Sequence, residues 1–350
     1  MENFYKNKKV LVTGHNGFKG SWLCLMLKLL NAKVYGISLK KDDRKKNNLI
    51  KIFNLKKEIT EYFVDINNYK ILNKTVKKIR PEIIFHLAAQ SIVIDGYKNP
   101  TYTFNTNING LINLLESVKL FNRVKTIAII TSDKCYVNNN NNNKKYFTEE
   151  SPLGGDDPYS ASKACAEIVS NCYAKSFLKK INLITFRGGN VIGGGDFNSL
   201  RLVPDIIKKI FYEKKLVIRN LTHQRPWQDV IDLNFAYLVF TYLKAIKKIK
   251  INTLNIGPNK NYSVKSILKM FNKFKNFKFR LKKSIFDEKL NIKLDCKKSN
   301  KIFKIKKNSI HKTIKNIYSW HKIFREKKRE EIILYSRNLI FNVLKKNYIP

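Results

Sequence analysis

Residues 9–20 constrain this chain more than any others. An apolar run over 9–13 ends in Gly14-His15-Asn16-Gly17-Phe18-Lys19-Gly20, and an apolar stretch over 22–30 follows. The order predicts a buried strand, a glycine-rich turn and a helix, which together make a dinucleotide phosphate site. Glycines let the backbone approach a pyrophosphate, and a helix N-terminus presents unpaired N–H groups with a favourable dipole. Gly14, Asn16, Gly17, Phe18, Lys19 and Gly20 are therefore candidate cofactor contacts.

A second strand is expected over 33–38. Its end commonly carries an acid that binds the adenosine ribose of NAD. Here Ser38 stands at that position, followed by Leu39 and two lysines. Asp65, next to Ile66 and after an apolar triplet, either holds the adenine amino group or caps the following helix. Residues 81–89 read as another buried strand, ending His86-Leu87-Ala88-Ala89-Gln90. The small residues Ala88 and Ala89, with Leu87, would let the backbone lie close to a ribose, and His86 reads as a packed core histidine. Asn107 lies in a helical stretch over 103–120. There it holds a water or kinks the helix near the site, or is a plain interior asparagine.

Residues 126–130 are apolar and deliver Thr131-Ser132-Asp133-Lys134 to the carboxyl end of a strand, where ligands bind in open α/β sheets. Tyr159 and Lys163 follow at i, i+4, so a helix puts phenol and ammonium on one face. A hydroxyl, a carboxylate and an amine thus face a Tyr/Lys pair. The asparagine run over 138–143 reads as a solvated loop between them.

A strand over 181–186 leads into Arg187-Gly188-Gly189-Asn190-Val191-Ile192-Gly193-Gly194-Gly195-Asp196, whose glycines bring backbone near a ligand. Arg201, Arg219 and Arg225 come next. Only eleven of the 69 basic residues are arginine, so their recurrence here is informative, because planar guanidinium forks suit a diphosphate. The remaining lysines are scattered among Asn and Ile without aromatic interleaving. The net charge of +43 therefore reads as codon bias, and neither nucleic acid nor a membrane is expected as partner. Five cysteines without CxxC or Cys/His spacing point to a reducing cytoplasm and to no metal site. Gly14 and Gly17 cut the first apolar run too early for a signal peptide, and no window is long and apolar enough to span a membrane.

The glycine-rich turn, Ser132 at a strand end and the Tyr159/Lys163 pair together resemble the extended short-chain dehydrogenase/reductase superfamily that acts on nucleotide sugars. The resemblance covers about residues 8–260. Four motifs, residues 14–22, 131–136, 189–196 and 225–228, are similar to those of the CDP-glucose 4,6-dehydratase family. The resemblance implies an α/β, Rossmann-type doubly wound parallel sheet. The NAD-binding domain would span 1–187, with 230–258 returning to it. Residues 188–229 and 259–350 would form a smaller substrate-binding lobe.

As cofactor the resemblance implies NAD, and as substrate a nucleotide sugar. Tyr159, supported by Lys163 and Ser132, would take the 4-hydroxyl proton as hydride leaves C4. Asp133 and Lys134 would then eliminate water from C5 and C6, and hydride would return to C6. Relatives acting on dTDP- or GDP-sugars carry Glu where Lys134 stands, so Lys134 is either a neutral base or a charged stabiliser of the enolate. Asn190, Arg201 and Arg225 would line the diphosphate, with Gln90 and Asn107 near the sugar. A homodimer or higher homo-oligomer is implied. A 4-epimerase would share Ser132, Tyr159 and Lys163 but needs no Asp133/Lys134 pair. A catalytically idle nucleic-acid binder would need none of the five.

Overall fold

In the computed structural model, residues 1–40, 48–119, 121–138, 146–258, 260–282 and 292–347 are described. Seven strands form one parallel sheet: β1 (Lys9–Thr13), β2 (Lys33–Ser38), β3 (Thr60–Phe63), β4 (Ile83–His86), β5 (Thr126–Ile130), β6 (Asn182–Gly188) and β7 (Thr253–Ile256). Their spatial order is β3-β2-β1-β4-β5-β6-β7. The order reverses between β1 and β4, which pair directly, with Thr13 beside His86. That switch point opens a crevice at the carboxyl ends of the strands.

Alternation along each strand sends side chains to both faces. Val10, Val12, Phe85, Ile130 and Phe186 share one core with helices Phe18–Leu29 and Val230–Ala245. Leu11, Ile84, Ile127, Ile129 and Leu183 share the other with helices Tyr69–Ile79, Gly110–Lys119 and Pro158–Ser176. Burial on both faces explains why β4 and β5 read as unbroken apolar runs. The helix over 69–79 is capped by Asn68, whose side chain accepts from Ile71 N at 3.1 Å, so Asp65 is not its cap.

A third core holds the smaller lobe together. It gathers Val203, Ile207, Trp227, Ile267, Phe271 and Ile314 from segments on either side of β7. The chain's end does not belong there. Ile332, Ile340 and Val343 of helix Arg329–Lys346 pack into the sheet core with Trp22 and Leu23, and Arg337 pairs with Glu58 at 3.3 Å. Within the span 259–350 expected to form the lobe, the apolar stripe of that helix faces the nucleotide-binding half. Among the described residues no helix is long and apolar enough to cross a membrane.

One buried acidic pair joins the two parts. Asp229 caps helix Val230–Ala245, accepting from Ile231 N at 2.8 Å, and Asp232, one turn on, accepts from the Asn308 N–H and lies 3.5 Å from Lys346 Nζ. Burial and then the charge of Asp232 push the Asp229 carboxyl well above the usual range. A carboxyl raised in this way holds more protons folded than unfolded, so stability falls as pH climbs from its unfolded value toward the raised one. Asp229→Asn keeps a good cap and removes the ionisation. We expect it to raise the melting temperature by a few degrees at about pH 8 and to change little at about pH 4. Equal destabilisation at both pH values would show that the carboxylate is needed as such.

Candidate active site

A single cavity of about 970 Å³ runs along the carboxyl ends of β1, β4, β5 and β6 and on under the smaller lobe. Its floor at one end is the glycine-rich turn. Gly14 has φ +71°, and a Cβ there would sit 2.8 Å from Ala88 N; a Cβ on Gly20 would sit 2.3 Å from Gly14 O. The glycines therefore keep β1, the turn and the next helix in contact. Gly17 is the N-cap of helix Phe18–Leu29 and has no side chain to occupy the first N–H groups. Those donors are left for an anion.

The same end of the cavity is lined by Asn16, Phe18, Lys19, Ser38, Asp65, Ile66, Leu87, Ala88 and Ala89. Asn16 donates to Leu39 O at 2.8 Å and holds the end of β2 against the turn. Asp65 accepts from Asn67 N at 2.9 Å. Thr13 Oγ1 lies 2.8 Å from His86 Nδ1, and burial holds that imidazole neutral, down at about 3, as suits a core histidine.

At the middle of the cavity stand Ser132, Asp133, Lys134, Tyr159 and Lys163. Strand β5 delivers the first three. The last two come from helix Pro158–Ser176, which is started by Pro158 and capped by Asp157, whose carboxylate accepts from Ser160 N at 3.0 Å. Ser132 Oγ donates to Asp133 Oδ1 at 3.1 Å and accepts from Lys134 N at 3.2 Å. Lys163 Nζ donates to Ile130 O at 3.2 Å, which fixes its stem along β5.

Burial dominates the protonation of this group. It pushes the Tyr159 phenol up to about 12, against a hydrogen bond from Ser132 that favours the phenolate. It brings Lys163 down to about 8, opposed by Glu167. Lys19 falls to about 7, by burial and then by Lys163 and Arg201. Asp133 is raised: burial outweighs the opposing charge of Lys134, and its Oδ2 has no hydrogen-bond partner among the described residues. The site thus holds a carboxyl biased toward its acid form beside amines biased toward their neutral forms.

Beyond them Asn190, Arg201, Arg219 and Arg225 line the half under the smaller lobe. Arg201 is held by Asp196 at 3.3 Å and by Ser91 Oγ at 3.0 Å. Arg225 is buried and donates to Gln224 O at 2.9 Å.

Gln90 and Asn107, expected near the sugar, are not among the residues that line the cavity. Asn107 sits on a π-helical turn, Asn105–Asn109. Its Oδ1 accepts from Gln90 N at 2.8 Å, and its Nδ2 donates to Gln90 O and Ser162 Oγ. The Gln90 amide is spent on Ile92 and Thr103. Both side chains shape the loop, and Ser91, Ile92, Val93 and Ile94 form the wall instead. The asparagine run over 139–143 lies outside the described residues. Reading along the chain also missed Glu167, although it stands one helical turn beyond Lys163 on the same face.

The chain matches the family model described as GDP-mannose 4,6 dehydratase over residues 11–322. It is 40% identical over 245 residues to the CDP-glucose 4,6-dehydratase of Salmonella typhimurium, covering 68% of this chain and 67% of that protein. It is 26% identical over 264 residues to the UDP-glucose 4-epimerase of Mycoplasma genitalium, 71% of this chain and 76% of that one. Among solved structures, the UDP-glucose 4-epimerase of Thermotoga maritima with UDP-glucose superposes with a TM-score of 0.78 at 21% identity, over 91% of this chain and 98% of that one. The UDP-glucuronic acid 4-epimerase of Bacillus cereus, in complex with UDP-glucuronic acid and NAD, gives 0.77 at 22% identity, over 90% and 99%.

Proposed function

This chain belongs to the GDP-mannose 4,6-dehydratase family and is an NAD-dependent hydro-lyase of nucleotide sugars, and on that premise we propose that it converts CDP-glucose to CDP-4-keto-6-deoxyglucose. The observation that carries the reading is the meeting of two sets of groups in one cavity. Ser132, Tyr159 and Lys163 suit redox at C4, and Asp133 with Lys134 suits loss of water from C5 and C6. An epimerase has no use for the second set. CDP is favoured as carrier by the 40% identity to a CDP-glucose 4,6-dehydratase.

The turn fits the cofactor, since Gly14 and Gly20 let strand, turn and helix pack backbone to backbone and Gly17 leaves the first N–H groups of the helix uncapped by a side chain, free to meet a pyrophosphate. NAD held there would supply the acceptor for hydride from the sugar C4 and its donor to C6. The protein handles the protons. Tyr159, as phenolate, removes the 4-hydroxyl proton, and Ser132 holds the 4-oxygen. Burial alone disfavours the phenolate, so the positive charge of Lys163 and of the nicotinamide is needed beside it. The 4-ketone acidifies C5–H. Lys134 takes that proton, and protonated Asp133 gives its own to the 6-hydroxyl, which leaves as water. One water is lost, the hydride would return to C6, and Lys134 gives its proton back to C5. Asn190, Arg201 and Arg225 hold the diphosphate.

The test is incubation of the NAD-supplemented protein with CDP-, dTDP-, GDP- and UDP-glucose, followed by mass spectrometry. CDP-glucose is expected to lose one water. Turnover of a different nucleotide alone would overturn the base assignment. An epimer of unchanged mass would overturn the elimination.

A further inference from the structure

Behind the cavity, a buried ion pair ties the two catalytic segments together. Glu167 of helix Pro158–Ser176 is 3% exposed and does not line the cavity. Its carboxylate accepts from Thr131 Oγ1, from Thr185 Oγ1 at 2.8 Å and from Arg187 Nη2 at 2.9 Å. Arg187, at the end of β6, also donates to Tyr136 OH and to Glu149 O, each at 2.9 Å, and its guanidinium lies 4.9 Å over the Tyr136 ring. The Tyr136 hydroxyl donates onward to Asn255 Oδ1 of β7 at 2.6 Å, and its ring stacks on Phe147 at 5.0 Å. Thr131 and Tyr136 immediately flank residues 132–135. One pair therefore grips both ends of the segment bearing Ser132, Asp133 and Lys134, and the helix bearing Tyr159 and Lys163.

Burying a carboxylate and a guanidinium is costly, and apolar packing of equal volume stabilises at least as well. Geometry is what the pair supplies. We propose that Glu167 and Arg187 are positioning residues that hold the acid/base segment 132–135 in fixed register with Tyr159 and Lys163. The proposal rests on the roles assigned above to those five residues. A charge effect accompanies it, since Glu167 is the main group opposing the effect of burial on Lys163. Without that carboxylate the ammonium loses its proton at lower pH, and the phenolate loses its partner.

Glu167→Gln preserves shape and removes charge. In the NAD-supplemented protein, kcat is expected to fall about tenfold to a hundredfold with KM within about threefold, and the alkaline limb of the kcat profile to move down by about one pH unit. A wild-type profile with only a lower melting temperature would make the pair purely structural and overturn the proposal. Should Glu167→Gln fail to fold, Thr131→Val and Tyr136→Phe keep the ion pair and cut one tie each. A several-fold loss of kcat at unchanged KM is expected in both, and wild-type kcat in both overturns the proposal. If the wild type turns over no nucleotide sugar, the functional reading fails by itself. The pair is then judged without substrate, by ultraviolet titration of tyrosinate in NAD-loaded protein with Tyr159→Phe as blank. Tyr159 is expected to titrate at higher pH in Glu167→Gln, and an unmoved titration overturns the proposal.

Discussion

Lys134→Met is expected to oxidise CDP-glucose at C4 and go little further: reduced nicotinamide accumulates, while release of the 4-keto-6-deoxy sugar falls by about a hundredfold to ten-thousandfold. Methionine matches the lysine stem in length and leaves Ser132, Tyr159 and Lys163 in place, so the oxidative half keeps its groups. What disappears is the amine beside Asp133, which burial already holds toward its acid form. Stopped-flow absorbance of reduced nicotinamide, read against mass-spectrometric product, separates the two halves. Full turnover would remove Lys134 from the C5 step. Lys134→Arg distinguishes the two roles open to the lysine. A guanidinium cannot give up its proton at working pH, so activity in that variant would mark a charged stabiliser of the enolate and not a base.

Gly20→Ala should do the largest structural damage of any single methyl group in the cofactor half. The new Cβ would stand 2.3 Å from Gly14 O and 2.9 Å from His15 Cα, both backbone, and no side-chain rotation relieves that. Helix Phe18–Leu29 must shift away from β1, taking with it the N–H groups proposed to meet the pyrophosphate. A loss of about 3–5 kcal/mol is expected, with NAD no longer raising the melting temperature. Gly257→Ala is the control: its Cβ would meet Cys296 Sγ at 3.4 Å, an ordinary contact, and both stability and NAD response should stay near wild type. Equal behaviour of the two variants would refute the packing argument for the turn.

Much of the site could be read along the chain because its parts are local. A glycine-rich turn between strand and helix, a hydroxyl at a strand end and a Tyr/Lys pair one helical turn apart each need only a few consecutive residues, and backbone periodicity fixes their direction. Gln90 and Asn107 show the limit. Their amides hydrogen-bond each other, the loop at Ile92 and Ser162, and partners 17 or 55 residues away have no local signature.

By itself, then, the sequence determined the α/β layering, the glycine-rich turn between strand and helix, and the five groups that stand together in the cavity, since short-range chain geometry decides all of these. Only tertiary structure decided that Glu167, Arg187 and Tyr136 brace those groups from behind, that the last helix returns to the sheet, and that Asp133 is held toward its acid form while Lys163 and Lys19 are held toward the neutral. Those outcomes depend on which distant groups exclude water from one another. Burial is a property of the packed whole, and no stretch of the chain carries it alone.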